Sequence, residues 1–104
     1  MNGKQKLIIE VLNGPLDGTV VALERETEWS KAGQGPLSFP WDEELGEPQA
    51  HLRLDETGWT LAPRQAAHGT YRVNTQNKVT SPVQLQNGDI LKASNTWLLV
   101  QSVD

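Results

Sequence analysis

The sequence has no cysteine, which excludes a disulfide framework, a thiolate metal site and a thiol nucleophile. Basic charge is scarce: nine Lys and Arg stand against thirteen Asp and Glu, for a net charge of −4. That deficit argues against sequence-independent nucleic-acid binding, whose affinity comes from cations displacing counterions, and against docking on an acidic membrane surface. Long hydrophobic runs are missing as well. The apolar stretches span a few residues each, too few for a transmembrane helix, and the polar start Met1-Asn2-Gly3-Lys4-Gln5 lacks the apolar centre of a signal peptide. A soluble, cytoplasmic protein is the default expectation. Catalytic signatures are absent too: there is no Gly-x-Ser-x-Gly, no His-Glu-x-x-His, no P-loop and no dinucleotide fingerprint, so neither an enzyme nor a cofactor is expected. The acidic stretch Asp42-Glu43-Glu44-Leu45-Gly46-Glu47 lacks the spacing of a calcium loop. It is expected to be a solvated loop that repels anionic ligands, with no metal bound.

What the sequence does hold is a series of short alternating segments. No window of about twelve residues carries an uninterrupted helical period. Lys6 to Leu12 and Thr19 to Leu23 read as strands joined by the turn Asn13-Gly14-Pro15-Leu16-Asp17-Gly18. A short third strand is centred on Thr27 and Trp29, and Leu37-Ser38-Phe39 alternates like an edge strand stopped by Pro40. Leu52 and Leu54 flank Arg53, Trp59 and Leu61 flank Thr60, and Tyr71 and Val73 flank Arg72, each predicting a strand with one face in a core. After a polar connection from Gln76 to Pro82 come Val83-Gln84-Leu85, the turn Gln86-Asn87-Gly88-Asp89, and a pair of strands, Ile90 to Ala93 and Thr96 to Val100, across Ser94-Asn95. About ten strands at spacings of roughly 8 to 12 residues predict an all-β, antiparallel two-sheet sandwich occupying residues 1–104 as one domain. Of the four tryptophans, Trp59 and Trp97 are expected in the core, and Trp41 is the candidate for an exposed aromatic.

This order of signals resembles the forkhead-associated (FHA) domain, a β-sandwich whose loops at one end bind phosphothreonine peptides. Gly33-Gln34 is similar to the Gly-Arg that follows the third strand in that family. Pro48-Gln49-Ala50-His51 looks like its Ser-Arg-x-His, and Ala66-Ala67-His68-Gly69-Thr70, leading to Val73-Asn74, looks like its Ser-x-Asn-Gly-Thr loop. The segment Pro82 to Leu91 is similar to its Leu-x-x-Gly-Asp-x-Ile. The resemblance implies that Gly33, His51, Gly69, Thr70, Asn74, Gly88 and Asp89 shape loops, with His51 bracing its loop through backbone hydrogen bonds. It also implies that Gln34, Pro48, Gln49 and His68 surround a binding surface; Lys31 and Arg64 flank those loops as cations, and Trp41 is a candidate aromatic anchor beside them.

The departures bear directly on function. Where the family grips phosphate with Arg, Ser and Arg, this chain has Gln34, Pro48 and Gln49. A dianion needs charge-assisted donors, and amides and proline do not supply them. Three readings follow. The first is a protein or peptide interaction module of FHA type, independent of phosphothreonine. The second is a phosphothreonine reader with an anion site rebuilt from Lys31, Arg64 and His68. The third is a structural domain that self-associates through strand edges. Arg53 and Arg72 are expected on a solvated face.

Overall fold

The computed structural model of the protein describes residues 6–32, 35–56, 58–64, 68–73 and 77–103. Ten strands lie among them: β1 (Leu7–Val11), β2 (Val20–Leu23), β3 (Thr27–Trp29), β4 (Ala50–Asp55), β5 (Gly58–Pro63), β6 (Thr70–Arg72), β7 (Asn77–Lys78), β8 (Val83–Gln84), β9 (Ile90–Ala93) and β10 (Thr96–Val103). They form a six-stranded sheet in the order β2-β1-β10-β9-β6-β7 and a four-stranded sheet in the order β3-β4-β5-β8, with every strand pair antiparallel. This is the sandwich that the alternation predicts.

Between the sheets lies one hydrophobic core. Leu7, Ile9 and Val11 of β1 face it together with Leu98 and Val100 of β10, because every second side chain of a strand shares a face. Trp29 and Trp59 supply its largest side chains from the smaller sheet, both fully buried. At ~25 cal/mol per Å² and about 150–250 Å² apiece, each contributes on the order of 4–6 kcal/mol before chain entropy is charged.

Several local expectations are corrected. Leu37-Ser38-Phe39 is no strand; it meets Ser30 in a single parallel bridge, and Leu37 and Phe39 plug the core from a loop. The supposed polar connection contains β7, which pairs with β6. In β6 the inward residue is Thr70, 2% exposed, whereas Tyr71 is 42% exposed, so the facing is one residue out of phase with the hydrophobic reading. Leu54 also lies at the surface. Trp97 is half-buried on the outer face, with Lys92 Nζ 5.5 Å from its ring centre. Arg72 is not a free solvated cation: it donates to the Gln84 carbonyl at 2.6 Å and pairs with Asp89 at 3.3 Å. Asp89 in turn accepts from the Gln86 N–H at 2.8 Å, closing the turn that carries Gly88.

Candidate functional site

Antiparallel pairing sends five connections to one end of the sandwich. They are the β1–β2 loop, the long β3–β4 loop, the β5–β6 loop, the β7–β8 connection and the two-residue β9–β10 turn at Ser94-Asn95, where Ser94 takes φ 54°. Side chains tie these connections to one another. Asp42 of the β3–β4 loop is 1% exposed, and its carboxylate accepts from Ser94 Oγ (2.7 Å), the Asn95 N–H (2.9 Å) and Thr96 Oγ1 (2.7 Å). Burial pushes the carboxyl up, but the hydrogen bonds from Ser94, Thr96, Asn95 and the Glu44 backbone outweigh it and hold the group below its ordinary value. Asp42 is therefore a structural anchor and no part of a solvated acidic surface, while Glu43, Glu44 and Glu47 are exposed.

Asn13 joins the same end from the β1–β2 loop, donating to the Asn95 carbonyl at 2.5 Å and accepting from the Trp97 N–H at 3.0 Å. Trp41 is not the exposed aromatic that the sequence suggests. It is half-buried against the core, folded over Gly14 so closely that a Cβ there would collide with its indole Cζ2. Gly14 also has φ +78°. Gly14→Ala is expected to lower stability by about 2 kcal/mol, adding the clash to the left-handed strain. Gly18→Ala has φ +89° but no atom within 4 Å, and is expected to lose about half as much. Equal thermal-melt shifts for the two variants would show that the Trp41 contact carries no weight.

Gln49 departs furthest from expectation. The sequence reading puts it on the binding surface, yet it is 0% exposed. Its Oε1 accepts from the Gly46 N–H at 2.8 Å, and its Nε2 donates to the His68 carbonyl at 2.8 Å and to Thr70 Oγ1 at 2.9 Å. The amide orientation is unambiguous, because Gly46 N–H can only donate and the His68 carbonyl can only accept. His51, by contrast, lies on β4 and makes no loop-bracing backbone bond among the described residues. Its Nδ1 meets Glu26 Oε2 at 3.0 Å, and its Nε2 lies 3.7 Å from Glu28 and 3.4 Å from Arg64. Gln49 thus does the work that the resemblance assigned to a histidine two residues later.

The remaining site residues take separate partners. His68 is exposed, with Nε2 2.5 Å from Glu44 Oε1. Arg64 is exposed and directed at His51. Lys31 is half-buried, its N–H bonded to the Gly46 carbonyl at 2.9 Å. Pro48 is half-buried in the same loop. Gly69 lies under Lys78: a Cβ at this position would meet Lys78 Cε at 2.5 Å. Gln34, Gly33 and Asn74 lie outside the described residues. Among those described, no group of three or more His, Asp or Glu is arranged to hold a metal ion, and no helix is long and apolar enough to cross a membrane.

No family model matches the sequence, and no curated protein matches it. Solved structures do match. The solution structure of the FHA domain of an Arabidopsis thaliana hypothetical protein superposes with TM-score 0.83 at 18% identity, covering 100% of this chain and 93% of that one. An FHA domain solved in an analysis of phosphothreonine-dependent FHA interactions gives 0.77 at 18% identity, with 92% and 95% of the two chains covered. The FhaA FHA domain, crystallised with the intracellular domain of another protein, gives 0.76 at 19% identity over 90% and 98%. The chain therefore has the fold of FHA domains, over its whole described length.

Proposed function

We propose that this domain is a non-catalytic protein-interaction module, presenting the loop end of an FHA-type sandwich to a protein or peptide without requiring phosphothreonine. One observation carries the reading: Gln49 is buried as the brace between the β3–β4 and β5–β6 loops. With Gln49 aligned on the family's histidine, the phosphate-binding Ser and Arg positions fall on Gly46 and Glu47. With His51 aligned there, they fall on Pro48 and Gln49. Neither alignment supplies a hydroxyl or a cation, and Glu47 brings a negative charge. Glu44, already against His68, adds another. Losing about three contacts of roughly 1.5–3 kcal/mol each removes the affinity of a micromolar phosphopeptide site.

The test is a fluorescence-polarisation titration with paired peptides that differ only in phosphorylation of one threonine. The phosphorylated member is expected to bind no more than about threefold tighter than its partner, the range of an exposed ion pair. Tight binding to the phosphorylated peptide alone would overturn the proposal in favour of an anion site rebuilt from Lys31, Arg64 and His68.

A further inference from the structure

On the β6–β7 flank of the loop end, two shallow grooves meet beneath Lys78. One runs past His68, Tyr71 and Lys92 to Ser94; the other runs past Arg64 and Thr80; both include Gly69. Lys78 lies across Gly69, so the two are one trough divided by a single flexible side chain. Among the described residues, three of the chain's nine lysines and arginines border this trough and no carboxylate lines either half, although Glu44 holds His68 at its rim. That segregation is marked in a chain of net charge −4. Neither Lys78 nor Lys92 pairs with a carboxylate among the described residues.

The sheet sets the spacing. Tyr71 is in register with Lys78 on one side and Lys92 on the other, and directly opposed residues share a face. The exposed tyrosine therefore sits between two lysines, whose backbones are two strand spacings, about 9.5 Å, apart. Beyond Lys92 its register partner Trp97 continues the row, with the ammonium over its ring. A polyproline-II strand repeats every three residues and advances about 9 Å in that repeat, so residues i and i+3 present like faces at this distance. An aromatic between them suits an intervening proline.

We propose that this trough binds an extended, unphosphorylated acidic segment of a partner protein, with carboxylates three residues apart on Lys78 and Lys92 and a proline or aliphatic residue on Tyr71. The proposal rests on the reading of the domain as an interaction module and specifies the kind of partner. Its probe is a fluorescein-labelled peptide of four Glu-Pro-Pro repeats, titrated with the whole chain beside the same peptide carrying Gln for Glu. The Glu peptide is expected to bind at least about tenfold tighter than the Gln peptide, and the difference is expected to shrink as salt rises past about 0.5 M. Lys78→Glu/Lys92→Glu is expected to abolish the difference, as is Lys78→Glu alone, which alters only an exposed side chain. Arg25→Glu/Arg53→Glu changes net charge equally at exposed positions outside the trough and is expected to leave it intact. Failure of the Glu peptide to bind, or equal loss in the two double variants, overturns the proposal. A phosphothreonine-only preference in the paired titration would instead sink the module reading, and the trough variants distinguish that outcome because they do not alter the loop tips.

Discussion

Asp42→Ala is expected to lower the unfolding free energy by about 3–5 kcal/mol, close to the upper limit for one substitution. Four donors converge on this carboxylate, and three of them belong to the β9–β10 hairpin. Removing it leaves Thr96 Oγ1, which is fully buried, and the Asn95 N–H without an acceptor, and each orphan costs about 1–3 kcal/mol. Ser94 at φ 54° then loses the bond that holds its turn. Asp42→Asn is the milder probe. It keeps the shape but offers one acceptor atom where there were two, and is expected to cost about 1–2 kcal/mol at neutral pH.

The pH dependence follows from the direction of the shift. The folded-state pKa of Asp42 lies below its ordinary 3.8, so the unfolded chain takes up a proton here before the folded one does. The stabilisation is therefore complete above the unfolded value and drains away as pH falls from about 4 through the folded value. Urea melts of the protein and of Asp42→Asn should diverge at neutral pH and converge below about pH 4. Curves that stay parallel down to about pH 2.5 would show that the carboxylate network is not what holds the hairpin.

None of this was legible at Asp42 itself, where neighbouring glutamates make the stretch look like any solvated acidic loop. Its three hairpin partners stand 52 to 54 residues away, and no local period or turn signal links them to it. The longer strands were readable in position: β1, β4, β5, β9 and β10 stand where the alternation puts them, although Leu54 and Trp97 face outward and β5 is buried at four consecutive residues. Short elements were not. In the three residues of β6, Tyr71 is the more apolar choice for the core, but a hydrogen bond from Gln49 to the Thr70 hydroxyl makes the smaller polar residue the better-satisfied one inside. Leu37 and Phe39 are buried as the alternation implies, yet the segment pairs with Ser30 through an isolated bridge and builds no ladder among the described residues. Trp41 reads as exposed in the sequence because what it folds over is the bare backbone of Gly14, which carries no side-chain signal.

The brace at the loop end was misplaced by letter rather than by chemistry, and that misplacement yields the sharpest test of the site. Gln49→Ala is expected to cost about 3–4 kcal/mol. It empties a fully buried volume and strands the Gly46 N–H, the His68 carbonyl and the Thr70 hydroxyl together. Gln49→Glu is expected to cost at least as much despite its near-identical shape. A carboxylate still accepts from Gly46 but cannot donate to the His68 carbonyl, whose lone pairs it then faces in a buried setting. His51→Ala is expected to cost under about 1 kcal/mol, since its carboxylate partners are themselves exposed and such pairs are worth little. Amide hydrogen exchange at Gly46 and Thr70 should accelerate in the Gln49 variants and stay unchanged in His51→Ala. If His51→Ala were the more damaging change, the loops would be held from β4, the phosphate positions would revert to Pro48 and Gln49, and Gln49 would be free to face a ligand. If the Gln49 variants are the damaging ones, the two loops that frame the proposed binding end are locked by a neutral amide whose donors and acceptor are engaged inside the protein, and the proposed recognition must come from the surface beside it.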